Sequence, residues 1–180
     1  VDVKAASRRG IIVMNTPTGN AVTTAEHAIG LLFSVARKIP QASASLKEGK
    51  WEKKAFEGRV LAGKTLGVIG LGNIGRIVAD RARGIRMNVI GYDPFLTEER
   101  AAELGIELVT LDALFTRSDA ITVHTPLTAD TKGVVNDAAI AKMKKGILLV
   151  NAARGGIYDE AAVFRGLESG QIGGLGLDVF

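Results

Sequence analysis

Three glycines and one acid carry the clearest chemical signal in the sequence. Gly70, Gly72 and Gly75 follow one short apolar run, and Asp93 ends a second one. In such a pattern the first glycine allows a tight turn, the second lets backbone approach a pyrophosphate, and the third permits close packing of a helix on a strand. A carboxylate about 20 residues further on accepts hydrogen bonds from ribose hydroxyls. The spacing therefore predicts a dinucleotide site, with the phosphates at a helix N-terminus.

The same acid indicates which dinucleotide is bound. The carboxylate of Asp93 would repel a 2′-phosphate, and no Lys or Arg lies in residues 94–97 to receive one. NAD is therefore favoured over NADP. The structural alternative is a turn acid that merely caps a strand, and the surrounding strand-helix-strand pattern argues against it.

Further polar residues follow the later apolar runs. His124 and Thr125 come after the fourth run from Lys64 onward, Arg154 comes after the fifth, and Asp178 lies near the end of the sixth. In an open α/β sheet the ligand lies across the carboxyl ends of the strands. Arg154 is a permanent cation with a planar fork, which could hold a substrate carboxylate and polarise a carbonyl oxygen. From its spacing alone, an ordinary surface or phosphate-contacting arginine is an equally good explanation.

These residues must be positioned by the elements of an α/β fold. Apolar runs alternate with helix-like segments, which predicts a doubly wound parallel sheet of the Rossmann type. The predicted strands cover residues 65–69, 87–92, 106–109, 120–123, 147–150 and 173–179. The predicted helices between them cover residues 73–83, 97–104, 111–116, 137–143 and 159–169.

Residues 1–63 are predicted to precede this core, which covers residues 64–180. Residues 10–14 predict a strand, and residues 15–20 predict a turn-rich loop. A capping-box pattern from Thr23 to Glu26 predicts the start of a long helix that continues to Gly49. A lone histidine in its first turns, His27, is more often packed or exposed than catalytic.

Length and composition limit the class of protein. The 180 residues suffice for one domain, and the net charge of +4 is concentrated in residues 37–64. This basic segment could meet an anionic substrate, a nucleic acid or a neighbouring subunit, but the single Trp and the lack of interleaved aromatic residues argue against nucleic acid. The apolar runs are shorter than the ~18 residues that a membrane span requires.

The residue types also bear on location and completeness. Without cysteine the chain has no disulfide or thiolate metal site, and this fits a reducing, cytoplasmic location. We assign no metal site. The chain begins without Met and stops in an apolar run, so we expect it to be a piece of a longer protein.

Taken together, several motifs resemble the D-2-hydroxyacid dehydrogenases over essentially the whole chain. They are residues 71–75, 92–94, 124–127, 151–157 and 176–180. Within that family, residues 15–20, 25–27 and 51–54 look most like the members that oxidise a phosphorylated D-2-hydroxy acid. The resemblance implies a nucleotide-binding domain inserted in a discontinuous substrate domain that is absent from this chain.

The resemblance also implies roles at the adenosine side of the cofactor. Asn73 and Ile74 would contact the pyrophosphate beside the glycines, and Asp93 would bind the adenosine ribose. Thr125 would lie at the adenine side of the cleft.

At the other end, the resemblance places Ala152 and Ala153 beside the nicotinamide. Asp178 would accept a hydrogen bond from the carboxamide, and Arg154 would orient the substrate. Family members also use a Glu and a His beyond the position where this chain stops, so we expect negligible turnover from the chain alone. The resemblance further implies a homo-oligomer, a dimer or tetramer, in which the segment around Trp51 packs against a second subunit.

Two residues depart from the family pattern. Arg86 stands where relatives usually have Gly, which could move the end of the preceding helix to Gly84. Tyr158 replaces a small aliphatic residue, so its hydroxyl needs a partner or solvent.

Two other functions stay open from the sequence. One is a different D-2-hydroxyacid dehydrogenase, for glycerate or hydroxypyruvate. The other is a non-catalytic NAD-sensing scaffold built on the same fold.

Overall fold

A six-stranded parallel sheet forms the centre of the structure, a computed structural model that describes residues 1–16 and 18–180. The strands are β1 Thr65–Ile69, β2 Asn88–Tyr92, β3 Glu107–Leu108, β4 Ala120–Val123, β5 Ile147–Asn151 and β6 Ile172–Leu177. Their order in the sheet is β3-β2-β1-β4-β5-β6, and every neighbouring pair is parallel. The strand order reverses between β1 and β4, which is the point where open α/β sheets bind ligands.

Helices cover both faces of this sheet. The helices are α1 Val3–Arg8, α2 Ala21–Arg37, α3 Ile39–Lys47, α4 Asn73–Gly84, α5 Glu98–Glu103, α6 Leu111–Arg117, α7 Asp137–Lys142 and α8 Glu160–Glu168. Of these, α1 has no buried residue, so it does not form part of the core. Helices α2 and α4 pack on one face, and α6, α7 and α8 pack on the other. The doubly wound Rossmann architecture is therefore confirmed.

Burial on both faces explains why the strands read as continuous apolar runs. In β5, Leu148 and Val150 belong to the core under α2 and α4, whereas Ile147 and Leu149 belong to the core under α7 and α8. Successive side chains of a strand point to opposite faces, so a strand covered on both sides needs apolar residues at every position. The predicted strands from β1 to β6 all form, with bounds that shift by one or two residues.

The prediction of a strand at residues 10–14 was wrong. Helix α1 begins earlier, with the Asp2 carboxylate accepting from the Ala5 amide at 2.9 Å, and residues 11–16 have no regular secondary structure. Ile12 is 82% exposed and Met14 is 86% exposed. A β-prone segment becomes a strand only when a neighbouring strand pairs with it, and none of the described residues does so here. Pro17, in the predicted loop, lies outside the described residues.

The long helix also differs from its prediction. It starts at Ala21 rather than at Thr23, so the capping-box pattern lies inside α2, and Asn20 precedes it without a side-chain cap. It then breaks at Lys38, which has φ 52°, before α3 begins. Pro40 explains the break, because proline inside a continuous helix removes a hydrogen bond and clashes with the preceding turn.

Both departures from the family pattern are accommodated locally. Helix α4 ends at Gly84, as we expected from the arginine at position 86. Arg86 itself adopts φ 64°. The buried hydroxyl of Tyr158 donates to the Val150 carbonyl at 2.8 Å. Within the ranges 1–16 and 18–180, we find no helix with the length and apolar character of a membrane span.

Candidate cofactor-binding site

The glycine turn lies at the carboxyl end of β1. Gly70 has φ 88°, and its amide donates to the Tyr92 carbonyl at 2.8 Å. A Cβ atom on Gly70 would lie 2.8 Å from the His124 carbonyl oxygen, and one on Gly75 would overlap the Gly70 carbonyl oxygen. The first and third glycines therefore have the predicted roles, since one makes the turn and the other lets α4 lie against the end of β1.

Gly72 faces open space instead of packed atoms. It is the N-cap residue of α4, and a Cβ atom there would meet no heavy atom within 4 Å. No side chain caps this helix end. The first amides of α4 are therefore free to donate to a phosphate group, which the helix dipole also favours. Because the side chain of Ile74 packs against the core, its phosphate contact would come from the backbone amide.

The turn between these glycines is held from two sides at Leu71. The Leu71 amide donates to Asp93 Oδ2 at 2.8 Å, and the Leu71 carbonyl accepts from Arg76 Nε at 2.7 Å. No role was predicted for Arg76 from the sequence. Arg76 lies in the first turns of α4, within reach of the glycine turn. This spacing is the feature of the sequence from which the contact could have been predicted.

Asp93 serves the turn as well as the cleft. Its second carboxylate oxygen, Oδ1, accepts from the Phe95 amide at 2.9 Å. Each carboxylate oxygen has two lone pairs, so both can accept a further hydrogen bond from a ribose hydroxyl. The turn-capping and ribose-binding interpretations of this acid are therefore compatible.

A cleft of about 350 Å³ opens between the glycine turn and the end of β4. It is lined by Gly70, Gly72, Asp93 and Thr125, and also by Asp130. Of the described residues, no Lys or Arg lines it. Without a cation in the lining, the Asp93 carboxylate makes this cleft unfavourable for a 2′-phosphate.

Two buried polar atoms in the cleft wall have no partner among the described residues, His124 Nδ1 and Thr125 Oγ1. The other ring nitrogen of His124 lies 3.0 Å from Thr122 Oγ1. Burial lowers the pKa of His124 to about 4, so the ring is neutral at pH 7. A buried polar atom without a partner costs about 1–3 kcal/mol, and a ligand in the cleft could satisfy both atoms. The open cradle over Gly72 and these two atoms fit a bound dinucleotide.

A second group of predicted residues lies at the end of β5. The buried Asn151 side chain fixes this loop, because its Nδ2 donates to the Arg154 carbonyl at 2.9 Å and its Oδ1 accepts from the Ala153 amide at 3.0 Å. Ala152 is buried beside it. No role was predicted for Asn151 from the sequence, although it is a polar residue at the end of an apolar run.

Arg154 itself is exposed. Its Nη1 donates to the Ala153 carbonyl at 2.7 Å, and no acid of the described ranges forms an ion pair with it. The guanidinium is therefore free to pair with a carboxylate from a substrate.

Asp178 lies at the same edge of the sheet, directly after β6. Its amide donates to the Asn151 carbonyl at 3.0 Å, and its carboxylate Oδ1 lies 3.2 Å from His27 Nε2. His27 is half-exposed, in keeping with its sequence interpretation, but this contact with a predicted site residue was missed.

The structure thus gathers the predicted residues into two groups. The cleft holds the adenosine-side residues Gly70, Gly72, Asp93 and Thr125, and Asn73 begins the helix beside them. Ala152, Ala153, Arg154 and Asp178 lie outside this cleft, around Asn151. Both groups stand at carboxyl ends of strands, and none of the second group lines the cleft around Gly70 and Asp93.

Comparison with known proteins then decides the family. Residues 29–180 match the family described as D-isomer specific 2-hydroxyacid dehydrogenase, NAD binding domain. This chain belongs to that family. NAD is accordingly the dinucleotide of this dehydrogenase domain.

The curated relatives of this dehydrogenase domain share about half of its residues. Over all 180 residues the chain is 52% identical to D-3-phosphoglycerate dehydrogenase from Archaeoglobus fulgidus and to that from Homo sapiens, and 50% identical to that from Bacillus subtilis. The chain spans 34% of the length of each of these relatives.

Solved structures confirm the fold of the domain. The apo-structure of D-lactate dehydrogenase from Escherichia coli matches with a TM-score of 0.91 at 37% identity, covering 99% of this chain and 56% of that one. D-lactate dehydrogenase from Aquifex aeolicus, complexed with NAD and lactic acid, matches with a TM-score of 0.88 at 33% identity. The match covers 100% of this chain and 54% of that one.

Proposed function

We propose that this chain is the NAD-binding part of a D-3-phosphoglycerate dehydrogenase. The enzyme would oxidise the 2-hydroxyl of 3-phospho-D-glycerate to the ketone of 3-phosphohydroxypyruvate, in the first committed step towards serine. The observation that carries the proposal is the 52% identity to two such dehydrogenases over the whole chain, against 33–37% for the two D-lactate dehydrogenases. This difference favours phosphoglycerate over other 2-hydroxy acids.

In the proposed reaction the chain binds and orients the reactants. The first amides of α4 and the Asp93 carboxylate hold the pyrophosphate and the adenosine ribose, and Asp178 accepts from the carboxamide. When bound, NAD accepts the hydride that leaves C2 of the substrate. Arg154 holds the substrate carboxylate and polarises the C2 oxygen, where charge changes during the transfer.

The proton of the substrate hydroxyl requires a base that we do not assign to this chain. The sequence has two histidines, of which His27 contacts Asp178 and His124 lies in the wall of the adenosine-side cleft. We therefore expect the 180 residues alone to bind NAD with negligible turnover.

We further propose that the whole protein is a cytoplasmic homo-oligomer, a dimer or tetramer. Trp51 is 80% exposed, and it lines a groove together with Ile39 and Leu46, whose side chains are also exposed. Large apolar side chains grouped at a surface are typical of a protein interface. Sedimentation of the whole protein and of a Trp51→Lys variant tests this, and an unchanged assembly in the variant would contradict the role of this groove.

The test of the proposed function combines binding and turnover. In a calorimetric titration of this chain we expect NADP to bind at least about 10-fold more weakly than NAD, a difference of about 1.4 kcal/mol. Equal affinities would remove Asp93 from its assigned role. The whole protein should oxidise 3-phospho-D-glycerate in preference to D-glycerate and D-lactate. NAD binding without turnover of any 2-hydroxy acid would favour the NAD-sensing scaffold instead.

A further inference from the structure

The contact between His27 and Asp178 joins two elements that are far apart in the chain. His27 lies in the second turn of α2, and Asp178 follows β6 directly. The helix is held on the sheet by the buried Ala25 and Ala28 on either side of His27. A Cβ atom on Gly176 would lie 3.1 Å from the Leu31 Cβ, which shows how closely α2 approaches β6. Core packing therefore places the imidazole beside the carboxylate.

Asp178 is held at its backbone and at one side-chain oxygen. Its amide bonds to the Asn151 carbonyl, and Oδ1 lies 3.2 Å from His27 Nε2. The side chain is 50% exposed, and Oδ2 takes part in no hydrogen bond with the described residues. Oδ1 thus faces the imidazole at ion-pair distance, while Oδ2 is free at the edge of the sheet that also carries Arg154.

We propose that His27 is a positioning residue for the nicotinamide end of the cofactor. The Nε2–H group of its imidazole donates to Asp178 Oδ1 and fixes the rotamer of the carboxylate, so that Oδ2 accepts from the carboxamide N–H group. This inference rests on the proposed role of Asp178. His27 acts through Asp178 and does not itself touch the cofactor.

The exposure of the pair argues against a role in stability alone. Both side chains are about half exposed, and ion pairs of this kind add little to the stability of a folded protein. An ordered carboxylate improves binding of a ligand, because its side chain then loses little further conformational entropy when the ligand binds. The contact should therefore affect cofactor affinity more than unfolding.

Paired ligands distinguish these possibilities. ADP-ribose carries the adenosine, pyrophosphate and second ribose of NAD but lacks the nicotinamide. In calorimetric titrations of this chain we expect His27→Ala to weaken NAD binding by about 5–10-fold, because Asp178 must then be ordered when NAD binds, and to leave ADP-ribose affinity within about twofold. His27→Gln should keep NAD affinity within about twofold, because its amide also donates. Unfolding temperatures of the variants should match the wild type.

Asp178→Ala provides the control that separates the two proposals. It should weaken NAD but not ADP-ribose, and adding His27→Ala to it should cause no further loss. If Asp178→Ala acts as expected and His27→Ala changes nothing, or weakens both ligands equally, the role of His27 is overturned. If Asp178→Ala leaves NAD affinity unchanged, or the wild type binds no NAD, the proposed role of Asp178 in binding the carboxamide is contradicted, and so is the role of His27 that rests on it.

Discussion

Asp93 organises the glycine turn, and we propose that the same side chain selects the ligand. Its two oxygens accept from the Leu71 and Phe95 amides, so the carboxylate is fixed before any ligand binds. The same charge faces a cleft without Lys or Arg among the described residues. Pre-organisation and charge repulsion therefore act through the same atoms.

Asp93→Asn removes the charge while keeping an oxygen that accepts. We expect NAD affinity to fall by about 10-fold, and the preference for NAD over NADP to fall from at least about 10-fold to about threefold or less, because the repulsion of the 2′-phosphate is lost. Titration calorimetry with both dinucleotides measures this. Asp130 lines the same cleft, so Asp130→Asn is the control. It should change the preference for NAD over NADP by no more than about twofold. An unchanged preference in Asp93→Asn would show that the acid does not discriminate.

Arg154 allows binding of the cofactor to be separated from binding of the substrate. In the whole enzyme, Arg154→Met should lower kcat/KM for 3-phospho-D-glycerate by about 10²-fold or more, since a charge that stabilises the transition state is removed. NAD affinity should stay within about twofold. Arg165→Met is the matched control, because Arg165 pairs with Asp137 on the surface between α7 and α8. Comparable losses in the two variants would refute a special role for Arg154.

At the scale of elements, the connection from α4 to β2 is built around an unusual residue. Helix α4 ends at Gly84, and Arg86 adopts φ 64° two residues before β2 begins. The left-handed region costs a residue with a Cβ atom about 1–2 kcal/mol, whereas glycine enters it freely. The chain therefore carries local strain close to β2, the strand that Asp93 follows.

Arg86→Gly should relieve this strain. We expect the free energy of unfolding to rise by about 0.5–1 kcal/mol, the net of relieved strain and the greater flexibility of glycine when unfolded. Chemical denaturation measures the change. Arg81→Gly, in the last turns of α4, should instead lower it by about 1 kcal/mol. A destabilised Arg86→Gly would mean that the arginine side chain contributes more than its backbone costs.

At the scale of the whole molecule, the sheet brings a buried histidine to the edge where ligands bind. His124 follows β4 in the middle of the sheet, and burial holds its pKa at about 4. In the unfolded chain a histidine takes up its proton near pH 6.5. Between these values the unfolded state binds more protons than the folded state, so folding is linked to pH.

The free energy of unfolding should therefore fall as the pH falls from about 6.5 to about 4, by up to about 3 kcal/mol from this group. Denaturation curves at several pH values measure the slope. His124→Gln should reduce the slope of the free energy of unfolding against pH. His27 is still present in this variant and serves as an internal control. A variant with the same slope as the wild type would show that His124 does not cause the dependence.

The local pattern of the sequence determined the fold and the adenosine side of the site. The glycine turn, α4, β2 and Asp93 are consecutive, and backbone conformation and hydrophobic periodicity depend mainly on near neighbours in the chain. For the same reason the strands from β1 to β6 formed close to their predicted bounds. The segment at residues 10–14 failed because a strand also needs a partner, which composition does not reveal.

Only the tertiary structure decided which distant side chains meet. His27 reaches Asp178 because α2 packs closely on β6, and the Asp93 carboxylate accepts from the Leu71 amide beside the glycine turn. Neither contact follows from residue type or spacing alone, since each depends on the rotamers and the packing distance of folded elements. The sequence by itself therefore predicted a dinucleotide-binding fold, with the phosphates at the start of α4, whereas packing decided how the residues around that turn are held.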